Sequence, residues 1–121
     1  MDPVKAIILF GHGSRDPLWR LPMDAVVQRI RSQHPGVPVS CAFLELQQPD
    51  LASAAADLAG AGARQVTVVP MFLGTGRHAR EDLPVLLEEV RLAHPEIEFS
   101  LQPAVGEDPR LLDLLAKIAL A

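Results

Sequence analysis

The 121-residue sequence has one cysteine, Cys41, and no tyrosine. A single thiol cannot close an intrachain disulfide. Its place in the apolar run Val37 to Phe43 reads as a small buried hydrophobe in a reducing compartment. One Trp and four Phe leave few surfaces on which bases could stack, and the net charge of −4 opposes a phosphate backbone, so nucleic acid is not an expected partner. No apolar run is long enough to span a bilayer; the first, Ala6 to Phe10, is far too short. The opening Met1-Asp2-Pro3-Val4-Lys5 sets an acid and a proline where a secretory signal carries a basic region, so a soluble cytoplasmic protein free of membrane is expected. Nucleotide-binding signatures are also missing. No Gly-Lys-Ser or Gly-Lys-Thr follows the first apolar run, and GxGxxG does not occur.

The residues present describe one domain over 1–121. A chain of 13.1 kDa buries about two-thirds of the surface its unfolded form exposes, enough for a core without staples. Strand-like runs lie at Lys5 to Phe10, Val37 to Phe43, Gln65 to Phe72 and Ile97 to Leu101, and a helical pattern follows each. The quartets Met23, Val26, Val27, Ile30 and Leu51, Ala54, Ala55, Leu58 keep the i, i+3, i+4, i+7 spacing, as do Leu83, Leu86, Leu87, Val90 and Leu111, Leu114, Leu115, Ile118. Pro49 and Pro109 suit first helical turns, Asp82 suits an N-cap, and Pro35 and Pro95 stop the helices before them. Regular β-α alternation implies parallel strands joined by right-handed crossovers. The expected fold is α/β: a four-stranded parallel sheet flanked by helices, βαβαβαβα, with flavodoxin-like strand order 2-1-3-4. The first quartet recurs as the third and the second as the fourth, and Arg31, His34, Pro35 and Ser40 recur as Arg91, His94, Pro95 and Ser100. Either an old βαβα duplication or the chance register of similar α/β units gives this pattern.

In an open parallel sheet, ligands bind beyond the carboxyl ends of the strands. That rule divides the histidines. His34 and His94 each precede a proline at a helix C-terminus, on the opposite edge, and read as structural groups facing the helix dipole. His12 and His78 follow the first and third strands, which strand order 2-1-3-4 makes neighbours. Gly11-His12-Gly13-Ser14-Arg15 sets a histidine between glycines in a tight, accessible loop, and Gly74-Thr75-Gly76-Arg77-His78 repeats the arrangement. Glu45, just past the second strand, is the only acid in the uncharged stretch from Ser32 to Pro49. Burial among its apolar neighbours would raise its pKa and suit it to proton transfer. Arg15 and Arg20 flank one histidine and Arg77 and Arg80 the other. Four of the eleven basic side chains thus surround the two candidate ligands, which suits a polyanionic small molecule.

In this order the motifs resemble the class II chelatases of the CbiX and SirB group, which includes sirohydrochlorin cobaltochelatases and ferrochelatases. The resemblance is carried by Gly11-His12-Gly13-Ser14-Arg15, by Ala42-Phe43-Leu44-Glu45-Leu46 with Pro49, and by Pro70-Met71-Phe72-Leu73 leading to Gly76, His78 and Asp82-Leu83-Pro84. It implies a lyase that inserts a divalent metal into sirohydrochlorin in cobalamin- or sirohaem-type biosynthesis, with His12 and His78 as the metal-handling pair. The length resembles the short form of that family, in which one domain per chain pairs as a homodimer.

Insertion needs a site that binds the ion loosely, a base for two pyrrole N–H protons and a cleft for the macrocycle. Neutral imidazoles suit Co²⁺, Fe²⁺ and Ni²⁺, with Co²⁺ the first expectation, and no organic cofactor is expected. His12, His78 and Glu45 are the candidate catalytic residues, and either Glu45 or a histidine is the proton acceptor. Ser14, Arg15, Arg77 and Arg80 would meet the carboxylates of the tetrapyrrole. Two alternatives use the same residues: a non-catalytic divalent-metal-binding module, and a phosphoryl-transfer enzyme with His12 as nucleophile and arginines as phosphate clamps.

Overall fold

The computed structural model describes residues 4–121. Four parallel strands, β1 (Lys5–Gly11), β2 (Val39–Phe43), β3 (Gln65–Pro70) and β4 (Glu98–Leu101), lie in the order β2-β1-β3-β4. They alternate with helices α1 (Leu21–Gln33), α2 (Leu51–Gly60), α3 (Arg77–Ala93) and α4 (Pro109–Leu120). Both the strand order and the alternation are those expected, with strand ends moved by a residue or two. Gly11 pairs with Phe43 and Phe10 with Pro70. Three strands therefore finish level, and the loops after β1, β2 and β3 emerge side by side.

The side-chain period of the strands divides the core in two. On one face Ile8 and Phe10 of β1 and Val66 and Val68 of β3 pack with Leu51 and Leu58 of α2 and Leu83, Leu87 and Val90 of α3. On the other, Leu9, Val39, Cys41 and Phe43 pack against Met23 and Val27 of α1. Full burial of a Leu, Ile or Phe stabilises by roughly 1.5–3 kcal/mol, so the quartets of α1, α2 and α3 account for much of the fold. Cys41 is buried as expected, and desolvation raises its thiol pKa.

Two expectations at the helix ends need correction. Asp82 is not an N-cap: α3 begins at Arg77 with Gly76 as its cap, so Asp82 and Pro84 lie inside the helix. Pro84 removes one amide donor, and its exposed setting leaves the freed carbonyl open to water. Pro49 stands before α2 rather than in its first turn. The cap is Asp50, whose carboxylate accepts from Ser53 N–H at 2.8 Å, and that bond lowers its pKa. The quartet of α4 is not core, because α4 buries none of its residues; Leu114 is 52% and Ile118 63% exposed.

Pro109 does open α4, capped by Asp108, whose hydrogen bonds with Arg110 hold its carboxyl down at about 2. His34 and His94 are the C-caps of α1 and α3, as the prolines after them require. Their backbones match, with φ/ψ of −139°/74° and −131°/70°. Each N–H bonds four residues back, to Ile30 and Val90, and each carbonyl accepts from the chain entering the next strand, at Val37 and Ile97. The sequence repeat is thus a repeat of local geometry at the end away from the candidate ligands.

Candidate metal centre

The three candidate chemical groups come from three different segments of the chain and meet. His12 follows the last residue of β1, Glu45 lies in the loop after β2, and His78 stands in the first turn of α3 after the β3 loop. Each offers a ligand atom, and those atoms all lie within 4.8 Å of one another. The rings of His12 and His78 are 6.1 Å apart between centroids and inclined at 68°. His12 Nε2 and Glu45 Oε1 are joined by a hydrogen bond of 2.9 Å. His78 Nε2 lies 2.7 Å from Asp82 Oδ2, one helical turn along.

The local backbone explains why the first two groups converge. Gly13 has φ of +101°, and a Cβ there would fall 1.7 Å from the Glu45 carbonyl oxygen. Only glycine combines that conformation with that approach. Leu44 N–H donates to the Gly11 carbonyl at 2.9 Å and Glu45 N–H to the His12 carbonyl at 3.1 Å, extending the β1–β2 contact past the strand ends. Ser14 N–H donates to Gln47 Oε1 at 3.2 Å, adding another tie between the two loops.

Glu45 differs from its expected setting. Its side chain is 41% exposed, beside His12 at 42%, and not buried among apolar groups. Of the apolar neighbours that suggested burial, Phe43 is buried at the end of β2, but Leu46 is 53% exposed and the chain has turned outward by residue 45. His78 also differs, because it lies in a helix and not in a loop. That placement gives it Asp82 as partner, a role the sequence signalled through the i, i+4 spacing of the two residues and which the N-cap reading of Asp82 obscured.

The polar residues expected around the histidines are less uniform. Arg77 pairs with Glu81 at 3.0 Å on the outer surface of α3. Arg80 Nη1 donates to the Thr75 carbonyl at 3.4 Å and lines a groove of about 630 Å³ between α3 and the chain leaving β4, with Phe72, Leu83, Leu101 and Ala104 among its walls. None of His12, Glu45 or His78 lines that groove, so its size is no measure of the metal centre. Arg15 is exposed. Ser14 Oγ accepts from Asp16 N–H at 3.0 Å, which leaves its own proton to donate. Arg20 is turned away to Asp24 and the Gln48 carbonyl.

Two imidazoles and one carboxylate form a donor set suited to a first-row divalent ion. Asp82 stands beside His78 in the place where a carboxylate orients a metal-binding histidine. An exposed centre of this kind can take up an ion and give it up again. The fold is an α/β domain, and these residues gather a candidate metal-binding set at the carboxyl edge of its sheet.

The CbiX family profile matches residues 6–119, and the chain belongs to that family. It is 35% identical over 118 residues to the sirohydrochlorin cobaltochelatase of Methanosarcina acetivorans, covering 92% of this chain and 91% of that one. A solved CbiX protein from Marinobacter aquaeolei VT8 superposes with a TM-score of 0.82 at 30% identity, over 95% of this chain and 93% of that chain. The sirohydrochlorin chelatase SirB of Bacillus subtilis subspecies spizizenii, solved in complex with cobalt, superposes with a TM-score of 0.78 at 28% identity. That match takes in 93% of this chain but 48% of SirB.

Proposed function

We propose that this protein is a sirohydrochlorin chelatase, a lyase in class, that inserts a divalent metal ion into the tetrapyrrole, with Co²⁺ the first candidate and Fe²⁺ or Ni²⁺ next. The observation that carries the reading is the convergence of His12, Glu45 and His78, with donor atoms within 4.8 Å of one another. The names of the M. acetivorans and SirB relatives point to the same substrate.

In this reading His12 and His78 hold the incoming ion and Glu45 completes the donor set. As the ion passes to the macrocycle, the two pyrrole N–H protons must leave. Glu45 can take one once it releases the metal, a freed imidazole can take the other, and both pass to water through the exposed face of the site. The overall exchange is one M²⁺ in and two H⁺ out. Ser14, Arg15, Arg77 and Arg80 are the proposed partners for the peripheral carboxylates. Exposed Leu46 and Leu73, from the loops after β2 and β3, offer apolar contact to a flat ring.

A homodimer belongs to the same proposal. One domain provides one wall of a cleft, SirB is about twice as long, and the bare apolar stripe of α4 is a surface a second copy would cover. A cytoplasmic setting is part of the same proposal; no helix among the described residues is long and apolar enough to cross a membrane.

The test is to mix the protein with sirohydrochlorin and Co²⁺ and follow the absorbance of the macrocycle. Protein-dependent conversion supports the reading. Co²⁺ binding without conversion would reduce the protein to a metal-binding module, and turnover of a phosphate ester in its place would point to phosphoryl transfer.

A further inference from the structure

Arg20 reaches no candidate ligand, yet it holds both ends of the segment that carries Glu45. It closes a short 3-10 turn, Pro17–Arg20, ahead of α1. Its Nε donates to both oxygens of Asp24 at 3.2 Å and its Nη2 to Asp24 Oδ1 at 3.1 Å, while Nη1 donates to the Gln48 carbonyl at 3.1 Å. The guanidinium carbon lies 4.7 Å from the centroid of the Phe43 ring, which also receives Trp19 edge-on at 6.1 Å. Phe43 ends β2 just before Glu45, and Gln48 lies just after it, so one side chain grips both flanks.

The segment between those flanks is strained. Leu46 has φ of 67°, and Gln47 N–H donates to the Glu45 carbonyl at 2.8 Å, which closes a three-residue turn of the uncommon positive-φ kind. A leucine adopts that conformation only where its surroundings over-determine it. The Gly13 approach and the Ser14–Gln47 bond brace the turn from the β1 side. Arg20 braces it from the α1 side, where its planar fork serves Asp24 and a carbonyl together; an ammonium cannot match that geometry.

We infer that Arg20 is a positioning residue for metal capture: by fixing Phe43 and Gln48 it holds the strained turn at Leu46 and aims the Glu45 carboxylate at His12 and His78. This rests on the reading of Glu45 as a metal ligand. Groups that act behind a ligand typically change metal affinity by about 10–100-fold, and a tenfold loss is expected here.

The experiment is a calorimetric titration of the full chain with Co²⁺ alone, for the wild type, Arg20→Met, Arg20→Lys, Glu45→Gln and the double variant Arg20→Met/Glu45→Gln. Circular dichroism confirms folding. Arg20→Met keeps an apolar stem over Phe43 and should bind about tenfold more weakly, with Arg20→Lys between it and the wild type. The double variant should bind no more weakly than Glu45→Gln, because Arg20 has nothing left to aim. Wild-type affinity in Arg20→Met beside weakened Glu45→Gln would overturn the positioning role and leave Glu45 as a ligand. Unchanged affinity in Glu45→Gln would remove Glu45 and the positioning role with it. Full additivity in the double variant would show Arg20 to be structural only. Should Arg20→Met fail to fold, Arg20→Lys and its double variant carry the same comparison.

Discussion

His78 and Asp82 face each other across one turn of α3, with Nε2 and Oδ2 2.7 Å apart. A carboxylate in that position orients an imidazole for metal binding. Asp82→Ala should therefore weaken Co²⁺ binding by about tenfold, and Asp82→Asn, which keeps an acceptor but no charge, should weaken it less. Thermal stability should barely change. Were Asp82 an N-cap, the reverse would follow: a stability loss of about 1 kcal/mol with metal binding intact. Calorimetric titration and a melting curve on the same samples separate the two.

The two candidate histidine ligands, one just after β1 and one in α3, should act as one unit. His12→Ala and His78→Ala each remove an exposed or half-exposed side chain and should leave folded protein. Each should lose most insertion activity, and the double variant should be little worse than either single one. His34→Ala and His94→Ala, at helix ends on the far edge of the sheet, should keep their activity with only a modest loss of stability. Initial rates of macrocycle conversion for all five variants decide the matter. Near-normal rates in both His12→Ala and His78→Ala would remove the metal-ligand assignment.

The parts of this protein that are periodic were legible in its sequence. Ile8, Phe10, Val66 and Val68 sit in continuous apolar runs and are buried, and the glycine-flanked His12 marked the right edge of the sheet. Single-residue context was harder to read. Asp82-Leu83-Pro84 looks like the opening of a helix, since an acid before a proline is a common first turn. Yet α3 had already started at Gly76, and Pro84 is tolerated within it because the amide it lacks would have bonded on an exposed face. Glu45 reads as buried in the sequence but meets His12 on an exposed face. Its function-bearing geometry depends on Gly13, Leu46 and Arg20, none of which forms a pattern with it along the chain. The Leu111 to Ile118 stripe of α4 followed the periodicity of a core helix and met no core in this chain. Periodicity reports that a face is apolar, not which molecule covers it.

The two glycine-bearing loops should differ sharply when substituted. At Gly13 a Cβ would strike the Glu45 carbonyl oxygen at 1.7 Å in a backbone with φ of +101°, whereas at Gly74 nothing stands within 4 Å. Gly13→Ala should cost about 2 kcal/mol or more and should weaken Co²⁺ binding by displacing Glu45. Gly74→Ala should stay within about 0.5 kcal/mol of the wild type. Denaturant midpoints at constant slope test both. Equal stability of the two variants would mean that the close approach of Gly13 to Glu45 is not a feature of the folded protein.

The apolar face of α4 carries the last prediction. Leu111, Leu114, Leu115 and Ile118 lie on one side of the helix, and Met71, Val105, Leu111 and Leu114 with Asp108 and Arg110 border a shallow groove of about 430 Å³ beside it. Because the chain itself buries none of α4, replacing Leu114 or Ile118 should hardly affect the folding of one domain; exposed substitutions usually fall within about 0.5 kcal/mol. If a second copy covers this face, a charge there is driven into an apolar interface. Leu114→Glu and Ile118→Glu should then shift the protein from dimer to monomer at micromolar concentration, as read by light scattering, while circular dichroism stays unchanged. Insertion activity should fall with the dimer, since one wall of the cleft goes with it. Co²⁺ affinity should fall much less, because His12, Glu45 and His78 come from one chain. A wild type that scatters as a monomer with and without the tetrapyrrole would overturn the dimer. A dimer that persists in both glutamate variants would move its interface away from α4.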